Sequence, residues 1–171
     1  TQITAIYMAW CGLTIEEALA LKKSDVEDGC IHVGERTVYP NQTIMQYIKE
    51  YRDAMEYHSA AKGIITLKYV PSEWLFRTAR SEHIDSPKTM RIFIHKFGKG
   101  DGEVNMFNYD KVYWSGVYHR AYMYELENGL IASNDLPTIN KIFGENLQTS
   151  SQANIRLRAY RKFVQYFFPS R

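Results

Sequence analysis

The chain has 171 residues, 45% hydrophobic and 14% aromatic, which is enough for a buried core and excludes a disordered chain. Its formal net charge is only +2, and no apolar run approaches the roughly 20 residues that span a bilayer. The start TQITAIYMAW lacks the charged-then-apolar layout of a secretory signal, so a soluble cytoplasmic protein with no membrane partner is expected.

In chain order, the opening reads as a helix on Ile3, Ile6, Tyr7 and Trp10, and because the first residue is not Met an N-terminal domain outside this chain is expected. Gly12 to Asp25 predicts a short amphipathic helix N-capped by Thr14, with Glu17 three residues on completing a capping box. Cys30–Val33 and Arg36–Tyr39 read as a hairpin around Gly34 and Glu35. Asn41 then caps a long helix to about Ala61, stopped by Gly63, and the β-branched run 64–70 is a third strand or a buried loop. Ser86-Pro87 opens a helix through Phe97, and the segment 98–103 is a turn. Helices are predicted over Asn108 to Asn128, Leu136 to Phe143 and Ser150 to Phe168, stopped in the first two cases by Gly129 and Gly144. The sum is a single domain, mainly α with a small antiparallel β-sheet.

Two cysteines, Cys11 and Cys30, exclude a disulfide framework and are expected as buried small hydrophobes. The five histidines lie far apart and never fall into ligand spacing, so neither a metal nor a cofactor is expected. Charge is uneven: residues 1–53 carry a net of −3 and residues 54–171 a net of +5. Arg77, Arg80, Lys88, Arg91, Lys96 and Lys99 crowd one span, and Arg156, Arg158, Arg161, Lys162 and Arg171 close the chain with no acid among them. Such runs are either solvated helix faces or a surface for phosphate.

The order of elements, and three boxes in it, resembles the catalytic domain of the tyrosine recombinases, the phage integrase family. Gly12, Leu13, Glu17, Leu21 and Asp25 match the family's first box, Gly-Leu-Arg-x-x-Glu followed by Leu and Asp. WSGVYHRAYMYELENGL is similar to the second box, a helix carrying His-x-x-Arg and ending at Gly, and INKIFGENLQTSS resembles the third. The resemblance implies a tyrosine recombinase-like fold across nearly the whole chain.

It also implies that the chemistry is missing. Thr14 stands where the family has an arginine that grips the scissile phosphate, and a hydroxyl supplies neither charge nor forked donors. Ser115 stands at the box histidine, Tyr118 at the second arginine, Glu145 at the His or Trp after Gly144, and Asn154 at the nucleophilic tyrosine. Glu35 and Arg36 occupy the hairpin turn where the family has its general-acid lysine. Tyr160, six residues beyond Asn154, is the fallback nucleophile. Single transition-state donors are worth about 10²- to 10³-fold each, so losing the set implies no strand cleavage.

The preferred expectation is a catalytically inactive, DNA-binding member of this fold, a phage or prophage transcriptional repressor controlling lysogeny and working at the host nucleoid. Its partner would be double-stranded DNA, with self-association left open. The helix from Ser86 matches the family's major-groove element and offers Lys88, Thr89, Arg91, His95 and Lys96; His119 and Arg120 flank the former catalytic pocket. Arg36, Arg77, Arg80, Arg156 and Arg158 complete the expected DNA surface. Two alternatives stand behind it, a divergent active recombinase using Tyr160 and a protein-partner module without DNA binding.

Overall fold

The computed structural model describes residues 1–59, 65–97 and 108–169. It is mainly helical, with two small antiparallel sheets where one was expected. Contacts gather into two compact units, Thr1–Val112 and Tyr113–Arg171, in a chain read above as one domain.

In the first unit, α1 (Gln2–Trp10) buries Thr4, Ala5, Met8 and Ala9, one face at helical spacing. The predicted stripe lies on the opposite side of the helix: Ile3 is exposed and Ile6, Tyr7 and Trp10 are half-buried. Small residues at 5 and 9 leave room for close packing, and α1 contacts the helices Gln42–Asp53 and Pro87–Phe97. α2 (Ile15–Leu19) starts as predicted. The Thr14 hydroxyl accepts from Glu17 N–H at 3.2 Å and the Thr14 N–H donates to Glu17 Oε2 at 2.7 Å. The hairpin is present as β1 (Ile31–Val33) and β2 (Arg36–Val38), with His32 opposite Thr37 and a left-handed Gly34 (φ +57°) at its turn.

α3 (Gln42–Asp53) is capped by the Asn41 side chain as predicted, but it ends at Asp53 rather than near Ala61. The following residues form β3 (Glu56–Ser59), paired antiparallel with β4 (Ile65–Lys68). β4 is therefore a strand, and it is exposed rather than buried. The expected stop at Gly63 and the turn 98–103 lie outside the described residues.

α4 (Pro87–Phe97) begins on its proline. α5 (Tyr109–Asn128) starts in the first unit, where the Tyr109 hydroxyl donates to the Leu13 carbonyl at 3.0 Å. Burial and the nearby Glu17 charge push that phenol far up from its ordinary range, so it serves as a fixed donor.

In the second unit, the rest of α5, α6 (Leu136–Phe143) and α7 (Ser150–Phe167) enclose Val117, Ala121, Ile131, Ile139, Phe143, Ala153, Leu157 and Tyr160. Gly144 ends α6 at φ +66°, a conformation that an L side chain holds only under strain. Neither cysteine is in a disulfide, and both are half-buried, not buried as expected.

Candidate nucleic-acid interface

α4 is amphipathic. Met90 and Ile94, four residues apart, are fully buried, and the helix packs on α1 and α2, with Gln2 Nε2 donating to the Phe93 carbonyl at 3.1 Å. Lys88, Arg91, Ile92 and His95, spaced i, i+3, i+4 and i+7, make the exposed face. No acid occurs within Pro87–Phe97. Among the described residues neither Lys88 nor Arg91 joins an ion pair, while Thr89 is half-buried. The Lys96 side chain lies outside the described residues.

Arg77 is a correction. It is 1% exposed and cannot reach DNA. Its Nη2 donates to the carbonyls of Ala54 (2.6 Å), Arg52 (3.1 Å) and Tyr51 (3.4 Å), and its Nη1 to Leu75 at 3.0 Å. The guanidinium lies 4.6 Å from the Tyr69 ring centroid and 5.5 Å from that of Tyr51. The last-turn carbonyls of α3 have no intrahelical partner, and a buried cation at that negative dipole end satisfies them. This also explains why α3 stops where it does. Arg80, by contrast, is exposed and free of ion pairs among the described residues.

Arg36 is half-exposed and already engaged. Its Nη2 meets both Glu17 oxygens at 2.8 Å and donates to the Gly12 carbonyl at 3.2 Å. Burial opposes ionisation of Glu17, but the bonds from Arg36 and the Thr14 N–H outweigh it and hold the carboxyl below its ordinary value. The first box and the hairpin are thus brought together, with Thr14 exposed beside a neutralised pair.

In the second unit Glu145, Arg156, Trp114 and Tyr118 form an aromatic and ionic cluster. Glu145 is gripped by Arg156 through two bonds, Nε to Oε2 at 2.7 Å and Nη2 to Oε1 at 2.5 Å, and Arg156 lies 4.8 Å from the Trp114 centroid. The Tyr118 ring sits 5.7 Å from Trp114, and burial raises its phenol above the ordinary range. Arg156 and Glu145 cancel, which withdraws one expected phosphate ligand. Ser115 and His119 are half-buried and Arg120 exposed, each with a partner of its own.

Tyr160 is the second correction. It is fully buried, and its hydroxyl donates to Glu125 Oε2 at 2.8 Å. Arg161 Nη1 meets the same oxygen at 2.5 Å and the Ile131 N–H donates to Oε1 at 2.8 Å. Burial disfavours the Glu125 charge, but the bonds from Arg161, Ile131 and Tyr160 prevail and hold its carboxyl below the ordinary value. A hydroxyl so placed is out of reach of a phosphodiester. Asn154 is exposed with Arg158 one turn further along α7, and both line an open groove of about 580 Å³. Arg158 makes no ion pair among the described residues.

Sequence reasoning missed one grouping altogether. Glu27, Cys30 and His32 bring a carboxylate, a thiol and an imidazole within 4.8 Å of one another. Spacing among histidines could not reveal it; alternation along β1 and a turn before it could. Compared with known families and curated proteins, the chain matches no family model and no curated protein. No helix among the described residues is long and apolar enough to cross a membrane.

Proposed function

We propose that this chain binds double-stranded DNA through phosphate and groove contacts and does not cut it. The observation that carries the reading is the exposed face of α4, where Lys88, Arg91 and His95 stand in one stripe on a helix without acids, anchored from behind by Met90 and Ile94. A rigidly docked helix with long basic side chains at that spacing fits a major groove, with cations for phosphate and an Arg fork for guanine.

Absence of cleavage is supported by the same side chains that resemble a degraded active site. Thr14 offers no charge, Glu145 consumes Arg156, Asn154 has no nucleophilic oxygen, and Tyr160 is sealed against Glu125. Asn154 and Arg158 can still hold a phosphate oxygen by hydrogen bond and charge. Through the resemblance alone, the biological role we assign is transcriptional repression in a phage or prophage, as in the recombinase-fold repressors of SPβ-type temperate phages.

A gel-shift of the chain against duplex fragments of the genome that encodes it, with a nicked suicide substrate in parallel lanes, tests both halves. A shift with no covalent protein–DNA adduct is expected. An adduct returns the protein to the active recombinases, and no shift with any duplex leaves a protein-binding role.

A further inference from the structure

The grouping of Glu27, Cys30 and His32 lies apart from the basic face of α4 and is unused by the reading above. Its geometry follows from the hairpin. Ile31 and Val33 point into the core, so Cys30 and His32, two residues apart on an extended segment, share the outward face. Before them the chain reverses: Val26 bridges Ile31, and the Glu27 N–H donates to the Cys30 carbonyl at 3.0 Å, which returns the Glu27 side chain to that face. The result is His32 Nε2 at 3.8 Å from Cys30 Sγ and 3.3 Å from Glu27 Oε1.

Those separations can be compared with a tetrahedral ion. With metal–ligand lengths of about 2.3 Å to sulfur and about 2.1 Å to nitrogen and oxygen, tetrahedral angles put N and S roughly 3.6 Å apart and N and O roughly 3.4 Å apart. The observed pairs lie within a few tenths of an ångström of both. The other ring nitrogen is also engaged, His32 Nδ1 standing 3.3 Å from the hydroxyl of Thr37, its cross-strand partner. When Nδ1–H donates to that hydroxyl, the Nε2 lone pair is left for a ligand, the outer-shell arrangement that fixes a metal-bound histidine.

We propose that Glu27, Cys30 and His32 form a binding site for a zinc-class divalent ion, with Thr37 as the positioning residue for His32. The mixed thiolate, imidazole and carboxylate set is borderline-soft and selects Zn²⁺ or Co²⁺ over Mg²⁺ or Ca²⁺. Three protein ligands leave a fourth position for water or an incoming donor. An ion there ties the turn at Glu27 to β1, and so steadies the hairpin whose other strand starts at Arg36.

The test is a titration of the reduced, chelator-treated chain with Co²⁺, followed by Zn²⁺. One equivalent of Co²⁺ should produce a thiolate-to-cobalt charge-transfer band, which Zn²⁺ then abolishes. Cys30→Ser and His32→Ala should remove the band, Cys11→Ser should keep it, and Thr37→Val should weaken affinity by about tenfold. Glu27 sits on an exposed turn, so Glu27→Gln tests the site without threatening the fold; weaker Zn²⁺ binding is expected, with unchanged far-UV circular dichroism. No charge-transfer band in the unmodified chain, or a band that survives Cys30→Ser and vanishes in Cys11→Ser, overturns the proposal.

Discussion

Replacing Arg77 by Ala should cripple the fold rather than weaken DNA contact. Three of its bonds are well formed, those to Ala54, Arg52 and Leu75 at 2.6, 3.1 and 3.0 Å, and the fourth, to Tyr51 at 3.4 Å, is weak. Hydrogen bonds to charged groups contribute about 1.5 to 3 kcal/mol each, but donors on one guanidinium are not additive, so about 3 to 5 kcal/mol is the expected loss. The removed side chain also leaves a void against Tyr51 and Tyr69 and three carbonyls without a donor. Against a total of about 5 to 15 kcal/mol, that is a large share of native stability. Arg77→Lys keeps the charge but not the fork, and should lose about half as much. Urea unfolding followed by far-UV circular dichroism reads both values. A loss under about 1 kcal/mol in Arg77→Ala, together with a tenfold fall in DNA affinity, would refute the capping role and restore Arg77 to the DNA surface.

Tyr160→Phe removes one bond to the Glu125 carboxylate while Arg161 and Ile131 keep theirs, so chemical denaturation should show a loss of about 1.5 to 2 kcal/mol and gel-shift affinity should not change. Glu125 has a depressed folded-state pKa, so its contribution is present above the unfolded value of about 4.3 and is lost as pH falls through the folded one. Unfolding free energy measured from neutral pH into the acid range should therefore fall more steeply in the unmodified chain than in Glu125→Gln; parallel curves would contradict the pairing. Gly144→Ala forces a side chain into φ +66° and should cost about 1 kcal/mol in the same assay.

Local chemistry was readable directly. Thr14 with Glu17, Asn41, Pro87, and the glycines at 34, 129 and 144 act where they stand, because a cap or a left-handed turn needs only a few adjacent residues. What escaped depends on distant partners. α3 ends because a side chain 23 positions beyond Ala54 takes its terminal carbonyls, and nothing near Ala54 announces it. Arg77 in a basic run resembles Arg80, yet one is buried and the other exposed. The same holds for Arg156, neutralised by Glu145 eleven residues earlier, and for Tyr160, whose partner is 35 residues away. Glu27, Cys30 and His32 meet only because a turn folds the chain back before β1.

The salt dependence of DNA affinity tests the central claim most directly. Of the expected cations, Arg80, Lys88, Arg91 and Arg158 are exposed and clear of ion pairs among the described residues, whereas Arg36, Arg77 and Arg156 are already spent on the fold. With roughly −0.9 per neutralised phosphate, four contacts give a slope of log affinity against log salt near −3.6. Lys88→Glu with Arg91→Glu should make that slope shallower by about 1.8. A slope near zero in the unmodified chain, or one that the double substitution leaves unchanged, would contradict DNA binding through α4.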